Sequence, residues 1–363
     1  MTRPLMASGR ISRWLKRVGG KRPPALPNSD SDLCCMTNLT SAALSYPREQ
    51  WAMTPLVSDL AVVRSASNGP KAELLQVHAV LKRYNPSALI GTYISGGQVK
   101  VDMLHYPAEV IDVSAVPDLW LRTVPHPNDA EVLYPYVYSY VNFEIPEVAR
   151  GFADLIVAEC QKRKGEIVFL DNIIHPSAMK GWVPWPATCR YLAMVKKRLN
   201  EIGKLLLANV AVAPYVMGNE DISLLCESVD GMAFEMPFLK SARGNREQTQ
   251  RQINVYRYWL DRKKIVILIP VDGPLTNPNE LDKEVRMVAG FAALIRQPGD
   301  SLFVAWPFWK PIPDWAFLPK RLGPPSPCLV FDNDSVLRRE CKNGTLVVDV
   351  LTKEVTVIPG ATA

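Results

Sequence analysis

Eight short apolar runs punctuate the chain beyond about residue 55: 58–65 (SDLAVVRS), 88–95 (ALIGTYIS), a looser one within 132–143 (VLYPYVYSYVNF), 166–172 (EIVFLDN), 204–212 (KLLLANVAV), 231–238 (GMAFEMPF), 264–271 (KIVILIPV) and 301–308 (SLFVAWPF). Their lack of polar alternation predicts strands covered on both faces, as in a parallel sheet. The segments between them carry helical spacing. Val148, Phe152, Leu155, Ile156 and then Glu159 or Cys160 recur at i, i+4, i+7 and i+8, with Pro146 in the first turn and Lys162 to Lys164 ahead of Gly165. Leu192, Val195, Leu199 and Ile202 repeat the pattern up to Gly203. The unit is strand, helix, strand.

Eight such units in about 250 residues have the size of a (β/α)8 TIM barrel. A doubly wound sheet is the competing α/β solution, but VVRSASNGPK after the first run does not fit GxGxxG. After the last run the period changes to two, around Asn343-Gly344, in 346–350 and in 355–358, which predicts two or three antiparallel strands as a small C-terminal β appendage. The stretch from Lys21 to about Pro55 is rich in Pro, Ser, Asn and Asp and reads as a linker or wrapping arm. The expected division is therefore an N-terminal arm and linker (1–55), a barrel (56–325) and the appendage (326–363).

Charge matters chiefly for where it lies. The formal charge is +6, but Arg3, Arg10, Arg13, Lys16, Arg17, Lys21 and Arg22 fall within the first 24 residues, without an Asp or Glu. Setting those seven aside leaves the body at −1, which argues against nucleic acid as the barrel's ligand. The arm, with Ile11, Trp14, Leu15 and Val18 interspersed, is either a solvated tail or a short amphipathic helix for a membrane surface, an acidic partner or nucleic acid. It has no continuous apolar region followed by a cleavage site, so it is a poor secretory signal, and no apolar run reaches the ~20 residues of a membrane span. Seven cysteines without a CxxC pair indicate neither a disulfide framework nor a zinc site. Reduced thiols and synthesis in a cytoplasm are expected.

A barrel places its chemistry at the C-terminal ends of its strands. Asp171 closes the fourth run and Glu235 interrupts the sixth; Asp272 follows the seventh, and Glu144 follows the loosely placed third. A carboxylate in an apolar segment is costly unless something compensates it. One compensation is a polar cleft in which two carboxylates share a glycosidic bond, one as general acid and the other as nucleophile or base. The other is structural, with Asp171 capping the next loop and Glu235 paired to an arginine such as Arg64. Trp182 and Trp185 in the loop after Asp171, and Trp306 and Trp309 after the eighth run, are the kind of surface on which sugar rings stack, although Trp-Pro packing explains them as well. Tyr93, Asn172, His175 and Asn209 are expected at the same mouth. The four histidines never reach HxH or HExxH spacing, and neither a GxSxG elbow nor a P-loop occurs, so no metal or cofactor is expected.

The residues also carry a resemblance. GEIVFLDN, preceded by NFEIPEVARGFADLIV, resembles the DGVFLDN strand and its upstream helix start in glycoside hydrolases of the hypothetical-glycosyl-hydrolase group. LRRECKNGTLVVDVLTKEVTVIPG resembles the β segment that ends those proteins. The similarity covers roughly Asp59 to Pro359. Gly165-Glu166 departs from the usual Asp-Gly, Cys341 stands where an aromatic is common, and VDVL replaces a VNP turn. The resemblance implies a TIM-barrel glycosidase-like domain. By analogy with the alpha-galactosidase clan and polygalactosaminidase-like barrels, Asp171 becomes nucleophile or base and Glu235 the general acid. The expected function is a glycoside hydrolase acting on a polysaccharide. The alternative is a catalytically silent, glycan-binding or structural barrel, such as a virion component incorporated through the arm or released by lysis.

Overall fold

The computed structural model describes residues 34–39, 60–63, 71–84, 86–100, 121–125, 137–162, 165–173, 185–210, 217–235, 244–270, 278–307 and 314–360. In chain order the elements are β1 (Cys34–Leu39), β2 (Leu60–Val63), α1 (Lys71–Tyr84), β3 (Leu89–Ser95), β4 (Gln98–Lys100), β5 (Leu121–Pro125), β6 (Val137–Val141) and α2 (Pro146–Lys162). Then come β7 (Ile167–Ile173), α3 (Trp185–Glu201), β8 (Leu205–Val210), α4 (Asn219–Ser228), β9 (Gly231–Glu235), α5 (Arg246–Asp261), β10 (Ile265–Ile269), α6 (Pro278–Ile295) and β11 (Leu302–Pro307). A short helix α7 (Leu318–Leu322) leads to β12 (Pro325–Phe331), β13 (Val336–Cys341), β14 (Gly344–Asp349) and β15 (Glu354–Pro359).

The fold is α/β: a curled parallel sheet flanked by helices, with a separate antiparallel sheet at the C-terminus. The parallel strands pair in the order β1-β11-β10-β9-β8-β7-β3-β2, and β1 also pairs with β2. The apolar runs supply both faces. Leu89, Ile167, Phe169, Leu205, Leu207, Ala233, Ile265, Ile267, Phe303 and Ala305 pack together inside the curl. Their alternates, including Ile90, Val168, Leu206, Met232, Val266 and Val304, pack outward against the helices. A side-chain period of two divides each strand between two cores.

Two expectations about the strands are corrected. The looser third run yields β6, which lies antiparallel between β4 and β5 in a three-stranded sheet of its own. Its tyrosine-bearing alternation (VYSYV) belongs to an antiparallel strand. Cys34–Leu39, within the stretch read as linker, is instead a strand of the parallel sheet, with Met36 opposite both Trp306 and Ala61. Thr37 and Asn38 disguise it as a loop. The two errors cancel, so EIVFLDN remains the fourth strand of the parallel set.

The N-terminal strand ends are stapled by side chains. Glu166, just before β7, accepts from the Ile90 amide at 3.0 Å, and Asp230, just before β9, accepts from the Leu206 amide at 2.9 Å. Lys82, Lys204 and Lys264 each donate to a carbonyl at the same end, on Ala88, Gly165 and Val229, all at 2.6 Å. Gly165-Glu166, the departure from the family motif, is thus a structural joint. Burial would raise the Glu166 pKa, but hydrogen bonds from Lys82 and Ile90, together with the Lys82 charge, bring it below the ordinary carboxylate value.

The C-terminal strands form a four-stranded antiparallel sheet, β12-β13-β14-β15. The fourth member beyond the two or three expected is β12, whose two prolines hide it. The sheet shares its apolar face with α6, where a Cβ on Gly290 would stand 2.9 Å from Val348 Cγ2 and from Val355 Cγ2. Buried Arg339 donates to the carbonyls of Leu294, Arg296 and Ser326, closing the C-terminal end of α6.

Candidate active site

β7 is apolar through Leu170 because both of its faces are covered, and it turns polar at Asp171, where the inner core ends. Asp171 shares the alternation of Ile167 and Phe169, so it stands at the C-terminal end of the inner face, half-buried. Its neighbours come from the strands on either side. Tyr93 on β3 donates its hydroxyl to Asp171 Oδ2, and Asn209 on β8 donates its amide to Asp171 Oδ1 at 2.7 Å. The Tyr93 ring is stacked on Phe169, with centroids 5.9 Å apart and planes inclined by 18°. The backbone is tied as well, since Gly96 N–H donates to the Asp171 carbonyl at 2.6 Å.

These contacts answer why a buried strand closes on a carboxylate. Both oxygens accept from neutral donors, which offsets part of the desolvation cost. The opposite orientation of Asn209 would set its carbonyl against the carboxylate, so the hydrogen-bond network fixes the amide.

The remaining sequence-derived candidates are placed as follows. Glu235 ends β9 two residues beyond inward-facing Ala233 and in register with Ile269; the structure describes its backbone position. Asn172 and Trp306 are likewise described by backbone, in β7 and in β11 opposite Met36. His175, Trp182, Asp272 and Trp309 lie outside the described residues, as does Arg64. Trp185 is core rather than rim: it opens α3, is 3% exposed, and donates its indole N–H to the Asp221 carbonyl of α4 at 3.2 Å. Glu144 sits exposed in the turn before α2, because the strand preceding it belongs to the antiparallel sheet. What the sequence reading missed was not the identity of Tyr93 and Asn209 but their contact. They meet Asp171 because alternate residues of three adjacent strands share the inner face, Tyr93 reaching up to the carboxylate from its pairing level beside Phe169.

A recess of about 1090 Å³ between α4 and α5 is lined by Asn219, Ile222, Arg251 and Tyr258 among others, and its described lining includes none of Tyr93, Asp171 and Asn209. Among its described lining residues Glu247 is the only carboxylate. Among the described residues, no three His, Cys, Asp or Glu side chains gather as a metal site, and no helix is long and apolar enough to cross a membrane.

No protein-family model and no curated protein sequence matches the chain. Solved structures do. A noncanonic maltogenic alpha-amylase from Thermotoga neapolitana is similar with a TM-score of 0.50 at 9% identity, over 90% of this chain and 88% of that one. A GH36 alpha-galactosidase from Geobacillus stearothermophilus, solved with 1-deoxygalactonojirimycin, is similar with a TM-score of 0.51 at 10% identity, over 88% of this chain and 47% of that one. The fold is similar to those of these two enzymes. At these identities the likeness concerns the path of the chain and not its chemistry.

Proposed function

We propose that the protein is a glycoside hydrolase acting on a polysaccharide, built as a (β/α)8 barrel that begins at β1 and carries the C-terminal sheet as an appendage. Asp171 is its nucleophile or base and Glu235 its general acid. The observation that carries this reading is the Asp171 carboxylate at the C-terminal end of β7, held by Tyr93 and Asn209 from the two flanking strands. The acid role is assigned to the second carboxyl group.

Glu235 suits that place. β9 follows β7 and β8 in the sheet, so its axis lies about 9–10 Å from that of β7. Side chains closing on a common bond from that distance reach either about 5–5.5 Å, for retention, or about 6.5–9.5 Å, for inversion. The return of strand pairing to β1 and the glycosidase-like fold support the barrel and the chemistry together.

The test is hydrolysis. The full-length protein is assayed with aryl glycosides and soluble polysaccharides for release of reducing ends, beside Asp171→Asn and Glu235→Gln. We expect each substitution to lower the rate by about 10³-fold or more while the protein stays folded. Wild-type rates in both variants would end this reading. A folded protein that binds a polysaccharide but hydrolyses none would replace it with a binding barrel.

A further inference from the structure

We infer that Tyr93 and Asn209 are positioning residues for Asp171 and not sugar contacts, an inference that rests on the reading of Asp171 as a reacting carboxylate. A carboxylate with one hydrogen-bond donor swings about its Cβ–Cγ bond. Two donors on opposite oxygens, carried by separate strands, fix its plane. That is the arrangement found: β3 supplies the donor to Oδ2 and β8 the donor to Oδ1.

Neither donor is presented as a ligand group would be. Asn209 is 3% exposed, so a glycan lying over the strand ends meets Asp171 before it meets the amide. Tyr93 is half-buried and backed by the Phe169 ring, which holds its hydroxyl on the carboxylate. The backbone beneath is fixed as well. A Cβ on Gly96 would lie 2.5 Å from Ile173 Cδ1 and 3.1 Å from the Asp171 carbonyl oxygen, so glycine lets the chain after β3 approach and donate to Asp171 without Ile173 or the strand having to shift. Ring stack and amide act on one carboxylate, and the glycine on the backbone that carries it.

The two roles separate in kinetics. Loss of a positioning donor leaves the carboxylate in place but loose, so turnover falls while substrate binding persists; loss of a sugar contact weakens binding. With an activated aryl glycoside as the probe, Tyr93→Phe and Asn209→Leu should each lower kcat about 10- to 100-fold, with KM within about 2-fold of wild type. The second readout is the Tyr93 hydroxyl proton in the proton NMR spectrum of the full-length protein. It should resonate downfield of the amides in wild type and in Glu235→Gln, and vanish in Tyr93→Phe and Asp171→Ala. A raised KM with kcat retained, or the absence of that resonance from the wild-type spectrum, would overturn the inference. Full turnover by Asp171→Asn would instead remove Asp171 from the chemistry, and the inference with it; a KM effect while Asp171→Asn is inert removes only the positioning role.

Discussion

Asn209 Nδ2 lies 2.7 Å from Asp171 Oδ1, linking the C-terminal ends of two adjacent parallel strands. The bond has a stability consequence independent of any substrate. Asn209→Ala deletes a buried donor and leaves Asp171 with fewer partners in a half-buried place. Urea denaturation should show a loss of about 1–3 kcal/mol. A loss well below that would mean that solvent already satisfies Asp171.

Trp185 separates a core tryptophan from a sugar platform. Its indole is buried between α3 and α4, so Trp185→Phe forfeits the bond to the Asp221 carbonyl and some packing. The expected cost is about 1–3 kcal/mol, read by thermal or urea unfolding, with KM for any active glycoside unchanged.

Glu166 gives a pH signature. Its pKa is held below the ordinary 4.5 because the Lys82 and Ile90 hydrogen bonds and the Lys82 charge outweigh the upward pull of burial. A depressed carboxylate contributes stability that is present above its unfolded pKa and lost as pH falls through the folded value. The stability gap between wild type and Glu166→Gln should therefore be at its plateau at pH 7 and narrow below pH 4.5. The Lys82 and Glu166 side chains are 34% and 31% exposed, so solvent screening limits the pair, and with the Ile90 bond the plateau is about 1 kcal/mol. Urea midpoints at neutral and acid pH measure it.

Gly290 controls how the C-terminal sheet docks. With Val348 and Val355 already 2.9 Å from where a Cβ would be, Gly290→Leu has no room without pushing β14 and β15 away from α6. Overpacking of this kind costs about 1–3 kcal/mol. Limited proteolysis should then cut the 325–360 region of the variant under conditions that spare wild type.

Much of this was legible along the chain, and the exceptions have physical causes. Runs such as KIVILIPV declare themselves because a strand buried on both faces cannot afford polar residues. β1 hides because CCMTNL carries Thr37 and Asn38 within a Pro- and Ser-rich stretch, and β6 looked equivalent because its valines and tyrosines are apolar enough to pass for a strand covered on both faces. The helical start of α3 had its marker in Pro186, a residue suited to a first turn, yet its neighbour Trp185 drew the reading toward a loop. Asp171 was legible as a charge at a strand end. The hydrogen bonds that hold it were not, because Tyr93, Asp171 and Asn209 are far apart in sequence and come together only through the register of three strands.

The most direct test of the central claim is the separation of the Asp171 and Glu235 carboxyl carbons in a crystal of the full-length protein soaked with an iminosugar. The account predicts both groups on one open mouth, about 5–5.5 Å or about 6.5–9.5 Å apart, with the inhibitor between them. Carboxyls facing different cavities, or well beyond about 10 Å, would contradict it.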